Sequence, residues 1–152
     1  KYGQMSGEDI VVGASIPATW TTMTFFDTTY PTDKGVTTNL TNDSIAFDNT
    51  GVWNFSVSIN AEVTPQGSSR TFDLRLYNLT AATPVPLDWL IATGSNAAAI
   101  NFSADLLVNV TPAEVGDEFV LQWQSSNTIN VVGFPLISMG ATYADELQSL
   151  AV

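Results

Sequence analysis

The chain contains neither cysteine nor histidine. The first absence removes disulfides, thiolate metal ligands and cysteine nucleophiles. It leaves the compartment open, because a domain of this size needs no cross-link to fold. The second removes the Ser-His-Asp arrangement, the common zinc sites and any imidazole switch near neutral pH. Positive charge is scarce: Lys1, Lys34, Arg70 and Arg75 face fifteen acidic residues, for a net charge of −11. Nucleic acid and anionic membrane surfaces are thereby excluded as partners, since both are gripped by clustered Lys and Arg. The acids are scattered, as on a soluble surface that resists aggregation by like-charge repulsion. No apolar run reaches the 18 or so residues of a membrane helix, and "KYGQMSGEDIVVG" lacks the order of a secretory signal.

What is present is a large apolar complement: 45% of 152 residues, including eight Phe, four Trp and four Tyr. A chain of this length buries about two-thirds of the surface its unfolded form exposes, enough for one self-sufficient core. The pattern is that of strands. In "GVWNFSVSINAEV" (51–63), Trp53, Phe55, Val57, Ile59, Ala61 and Val63 share one parity and Asn54, Ser56, Ser58, Asn60 and Glu62 the other. A period of two sends these sets to opposite faces of a sheet, one dry and one wet. "AAINFSADLLVNV" (98–110) alternates as clearly, and "RTFDLRLYNLT" (70–80) and "EFVLQWQSS" (118–126) follow suit. Further strands are expected at "ATWTTMTFF" (18–26), "SIAFD" (44–48), "VPLDWLIAT" (85–93), "INVVGF" and "LISMGATYA" (136–144), with turns at "DTTYPTDKG", "TPQGSS" and "TPAEVGD" between them. The wet faces use Ser, Thr and Asn more than Lys and Glu. "DELQSLAV" at the end is compatible with a helix. Eight to ten short strands without a long amphipathic helix predict an all-β antiparallel sandwich or barrel. Residues 1–17 are expected as an N-terminal arm able to reach a neighbour, and 18–152 as the domain.

The chain resembles the C1q/TNF-like jelly-roll family. "IAFDNTGVWNFSVSI" matches the Gly-aromatic-x-aromatic opening of a family strand, "FDLRLYN" (72–78) a later strand, and "AEVGDEFVLQW" (113–123) a Gly-Asp element. "GFPLISMGATYA" is similar to the closing strand. Order and spacing agree over about residues 18–144. The resemblance implies a ten-strand jelly roll assembled as a homotrimer, used for binding and assembly and not for catalysis. Without collagen repeats or heptads in this sequence, it points to a capsid decoration (cement) protein of a phage or virus. That protein would sit on the virion surface, with itself and the major capsid protein or other virion proteins as partners. The alternative is a receptor- or glycan-binding head of a viral fibre or of a secreted ligand.

Candidate sites were weighed against ordinary structural roles. The pairs Glu8-Asp9, Asp117-Glu118 and Asp145-Glu146 invite a glycosidase reading, yet adjacent residues of an extended chain face opposite ways. A carbohydrate-active rival would draw on Asp73, Asp105 or Asp117. Asn42, Asp43, Asp48 and Asn49 supply oxygens suited to calcium without matching a calcium-loop spacing, and turn formation competes for them. No other cofactor is suggested. Six Asn-x-Ser/Thr triplets, at Asn39, Asn42, Asn54, Asn78, Asn101 and Asn109, arise largely because a wet Asn/Ser/Thr strand face writes them automatically. For contacts across a trimer or with a partner, the aromatics Trp20, Tyr30, Trp53, Trp89, Trp123 and Tyr143 are the candidates, with Trp20, Trp53 and Trp123 read as core or interface.

Overall fold

The computed structural model describes residues 2–30 and 35–144. Eleven strands run in chain order: β1 (Tyr2–Ser15), β2 (Thr21–Thr22), β3 (Thr28–Tyr30), β4 (Val36–Asn39), β5 (Ser44–Phe47), β6 (Gly51–Val63), β7 (Arg70–Asn78), β8 (Thr83–Thr93), β9 (Ala99–Val110), β10 (Glu118–Gln124) and β11 (Asn130–Tyr143). A single 3-10 turn, Pro112–Glu114, precedes β10. The strands form two antiparallel sheets, the first ordered β3-β1-β11-β6-β9 and the second β4-β5-β10-β7-β8, with β2 also pairing β10. Along β6 the alternation is realised without exception: every residue from Trp53 to Val63 on the dry parity is buried.

Two aromatic knots close the ends of the core. Trp53 packs tilted against Phe47 at 5.1 Å and edge-on to Tyr143 at 4.9 Å. At the other end, Phe25 packs edge-on to Trp123 at 5.4 Å and against Phe134 at 4.9 Å. Such ring pairs add about 0.5–1.5 kcal/mol each beyond the area they bury.

Three expectations change. The segment expected as an arm is strand β1, hydrogen-bonded between β11 and β3 within the first sheet. Its inward positions include Gly3 and Gly7, both buried, so the apolar alternation that marks a strand is missing. Gly7 is required there, because a Cβ would lie 2.0 Å from the Phe25 carbonyl oxygen. "ATWTTMTFF" is not one strand: β2 covers two residues on β10, and the chain then crosses from the second sheet to the first, where β3 pairs β1. Met23 and Phe26 are buried along this crossing, and burial of single side chains, not strand pairing, explains its apolar content. The two closing strands are one, β11, whose register on β6 shifts between Val131 and Leu136. The bulge absorbs exposed Pro135, whose missing N–H cannot join a ladder. The helix-compatible tail and the Asp145-Glu146 pair lie outside the described residues.

Candidate assembly surface

The outward parity of the first sheet can be read strand by strand from its register. One row runs Leu107, Asn54, Thr142, Tyr2; the next Asp105, Ser56, Gly140, Gln4, Tyr30; the next Ser103, Ser58, Ser138, Ser6, Thr28. Asp105 is the only charged residue in these three rows, although the chain carries fifteen acids. Small side chains at the centre leave a shallow depression of about 240 Å³ over Ser56, Ser58, Ser103 and Ser138. Apolar groups stand at both margins: Leu107 is 66% exposed, Tyr2 52% and Tyr30 45%. A flat, nearly uncharged surface rimmed by exposed Leu and Tyr has the composition of a protein contact, where the core of the patch is depleted of charge.

The margin formed by β9 adds a second feature. Among the described residues this strand pairs only with β6, and so ends the sheet with an edge twelve residues long. Soluble proteins blunt such edges with Lys, Pro or a short strand, and β9 has none of these devices. At the opposite margin β3 is three residues long. Between the edges β8 and β9 the sandwich opens into an apolar groove of about 370 Å³ lined by Pro84, Val85, Leu87, Leu106 and Phe119.

The predicted contact aromatics separate into different roles. Trp53 and Trp123 are buried within the protomer, and Trp53 donates its Nε1–H to the Asn49 carbonyl at 3.1 Å, so neither can serve as an exposed contact. Trp89 points inward from β8 and meets Phe102 at 6.2 Å, closing the gap between the two edge strands. Tyr143 is half-buried against Trp53 and donates its hydroxyl to the Thr50 carbonyl at 3.1 Å. Trp20 lies over Arg75 on the outer side of the second sheet. Only Tyr30 belongs to the surface described above. Sequence reasoning missed Tyr2, placed in the supposed arm, and Leu107, the apolar exception on the wet parity of β9.

The loop polar residues are joined to one another. Glu118 accepts hydrogen bonds from Asn39 Nδ2 at 3.0 Å, Asn42 Nδ2 at 3.2 Å and Ser44 Oγ at 2.9 Å. The amide of Asn42 and the hydroxyl of Ser44, with a smaller share from Asn39, hold its carboxyl below the usual range. Asp43 is buried, which pushes its carboxyl up, partly offset by the Phe26 N–H. Asp48 accepts from the Thr37 hydroxyl and Asp117 from Asn78 Nδ2. Among the described residues no three acids gather as metal ligands. The donors already aimed at Glu118 are those a cation would have to displace. Asp73 and Asp105 project from opposite outer faces of the sandwich, so they cannot act on one sugar. Asn78 is buried and bonded to Asp117, which closes that triplet to modification.

Comparison with solved structures gives the class of this architecture: a C1q/TNF-like jelly roll. Eiger TNF from S. frugiperda matches with a TM-score of 0.60 and 14% identity, covering 92% of this chain and 89% of that one. The globular domain of zebrafish complement 1qA matches at 0.56 and 12% identity, covering 92% of each chain. PRD1 vertex protein P5 matches at 0.56 and 14% identity, over 93% of this chain and 72% of that one. No protein-family model matches the sequence, and no curated protein matches it. Among the described residues no helix is long and apolar enough to cross a membrane.

Proposed function

We propose that the protein is a non-enzymatic, homotrimeric structural protein of a phage or viral particle that decorates and cements its capsid. Its partners are further copies of itself and the major capsid protein or other virion proteins, at the virion surface. The observation that carries this reading is the run of three first-sheet rows in which Asp105 is the one charge, ending at the β9 edge. Burying that face against another copy removes Leu107, Tyr2 and Tyr30 from water and covers a free strand edge. The two margins differ, one carrying Leu107 and the other Tyr2 and Tyr30, so a head-to-tail contact that closes into a ring suits the face better than a self-matching pair. Obligate contacts of this kind commonly bury 2,000 Å² or more. The shared fold with a phage vertex protein supports the virion setting.

Light scattering on the purified protein tests the assembly: three times the 16.3 kDa protomer mass is expected at micromolar concentration. A monomer at that concentration overturns it. Electron microscopy of purified particles then distinguishes a lattice position from a fibre tip.

A further inference from the structure

The outer face of the second sheet carries a constellation that assembly through the first sheet does not use. One row there reads Thr22, Gln122, Arg75, Asp88, and the next places Asp73 between Gln124 and exposed Leu90. Arg75 is held on three sides. Its guanidinium carbon lies 4.1 Å from the Trp20 ring centre and 5.0 Å from that of Tyr77, while Nε and Nη2 both donate to Gln122 Oε1 at 2.9 and 2.8 Å. Stacking on aromatic rings and a forked hydrogen bond fix a side chain that otherwise loses considerable rotamer freedom when ordered.

What is left over, among the described residues, is a set of groups without partners. Among the described residues Arg75 has no carboxylate within ion-pair distance, and its Nη1 hydrogens have no acceptor. Gln122 is 8% exposed, and its Nε2 hydrogens likewise find no described partner. Asp73 and Asp88 accept no hydrogen bond from any described residue. Fixed donors, flanking acceptors and half-buried aromatic rings thus share one open platform. An anion is poorly suited to it, since Asp73 and Asp88 flank the guanidinium and the chain's net charge is −11. A sugar ring suits each part: its hydroxyls accept from Arg75 and donate to the carboxylates, and its C–H face packs on an aromatic ring.

We propose that this platform, built from Trp20, Arg75, Tyr77, Asp73 and Asp88, is a binding site for a neutral, hydroxyl-rich saccharide.

Saturation-transfer NMR on the intact protein, with galactose, glucose, mannose, N-acetylglucosamine and lactose as probes and acetate and inorganic phosphate as anionic controls, tests it. At least one neutral sugar is expected to bind saturably. Arg75→Lys, which keeps the charge and loses the fork, and Asp88→Asn, which is exposed and spares the fold, are each expected to weaken binding about tenfold. Ser103→Arg on the first sheet is expected to leave it unchanged. Binding by none of the sugars, preference for the anions, or retention of sugar binding in both second-sheet variants overturns the proposal. The oligomeric state is read separately by light scattering, so this result and the assembly reading stand or fall independently.

Discussion

Across the first sheet the central row reads Ser103, Ser58, Ser138, Ser6, Thr28; across the second the corresponding row reads Thr22, Gln122, Arg75, Asp88. The inward parities of β6 and β7 are both apolar apart from Asn78 at the end of β7, so the core demands much the same of the two sheets. On the assembly proposed above, the outward parities differ because their surroundings do. A face left in water gains solubility from charge, and the second sheet supplies Asp73, Arg75 and Asp88 there. A face that meets another protein surface gains from flatness and from the absence of charges that would need desolvation. Hydrophobic alternation thus specifies which side of a strand is buried in the protomer. The chemistry of the opposite side then distinguishes a nearly uncharged face from one that carries fixed charges.

The comparison can be broken or sharpened by substitution. The largest effect is expected at Trp53, which serves the shared core: Trp53→Ala should cost about 3–5 kcal/mol and lower the melting temperature by roughly 10 °C. That loss should be the same at all protein concentrations, since a concentration-dependent loss would return Trp53 to the interface. Next, Ser58→Arg, at the centre of the first-sheet face, should bury an unpaired charge on association. It should weaken self-association by at least a hundredfold, about 3 kcal/mol, seen as a fall in mass by light scattering. An unchanged mass would remove the distinction between the faces.

A third test uses pH. The carboxyl of Glu118 is held below its ordinary range in the folded protein, so its contribution to stability is present above that range and is lost as pH falls through the lowered value. Asp43, raised by burial, acts in the opposite sense, favouring the fold as it becomes protonated on acidification. Glu118→Gln should therefore destabilise the protein at neutral pH, with the difference from the parent shrinking towards about pH 3, followed by thermal melts across the range. A difference that stays constant with pH would mean that the charge of Glu118 is irrelevant to the loop. The smallest effect is expected at Asp73→Arg on the second sheet, within about 0.5 kcal/mol and without change in mass.

Much of this architecture is legible in the sequence, and where it is not, the reason is local. Strands β6, β7, β9 and β10 announce themselves because each concentrates its large apolar residues on one parity, with Leu107 and Val120 as exceptions. β1 does not, because Gly3 and Gly7 occupy inward positions while polar Gln4 and Ser6, the latter itself covered, take the other parity, so neither parity stands out. The crossing at residues 23–27 imitates a strand because Met23 and Phe26 enter the core from irregular backbone. The candidate surface was half visible: the wet parity of β6 and β9 is rich in Ser and Asn, but nothing in the chain says which other strands lie beside them. Aromatic residues were poorer guides, since the four tryptophans distribute between core, edge and outer face according to register that only pairing reveals.

The position of β1 against β11 has a bearing on how the molecule is made. Tyr2 pairs with Thr142 and Gln4 with Gly140, so β1 has to wait for β11, far later in the chain, before it is flanked on both sides. Long-range pairing of this sort folds slowly. On the assembly proposed above, the contact face is complete only once β11 lies between β1 and β6, so folding of the whole first sheet comes before association.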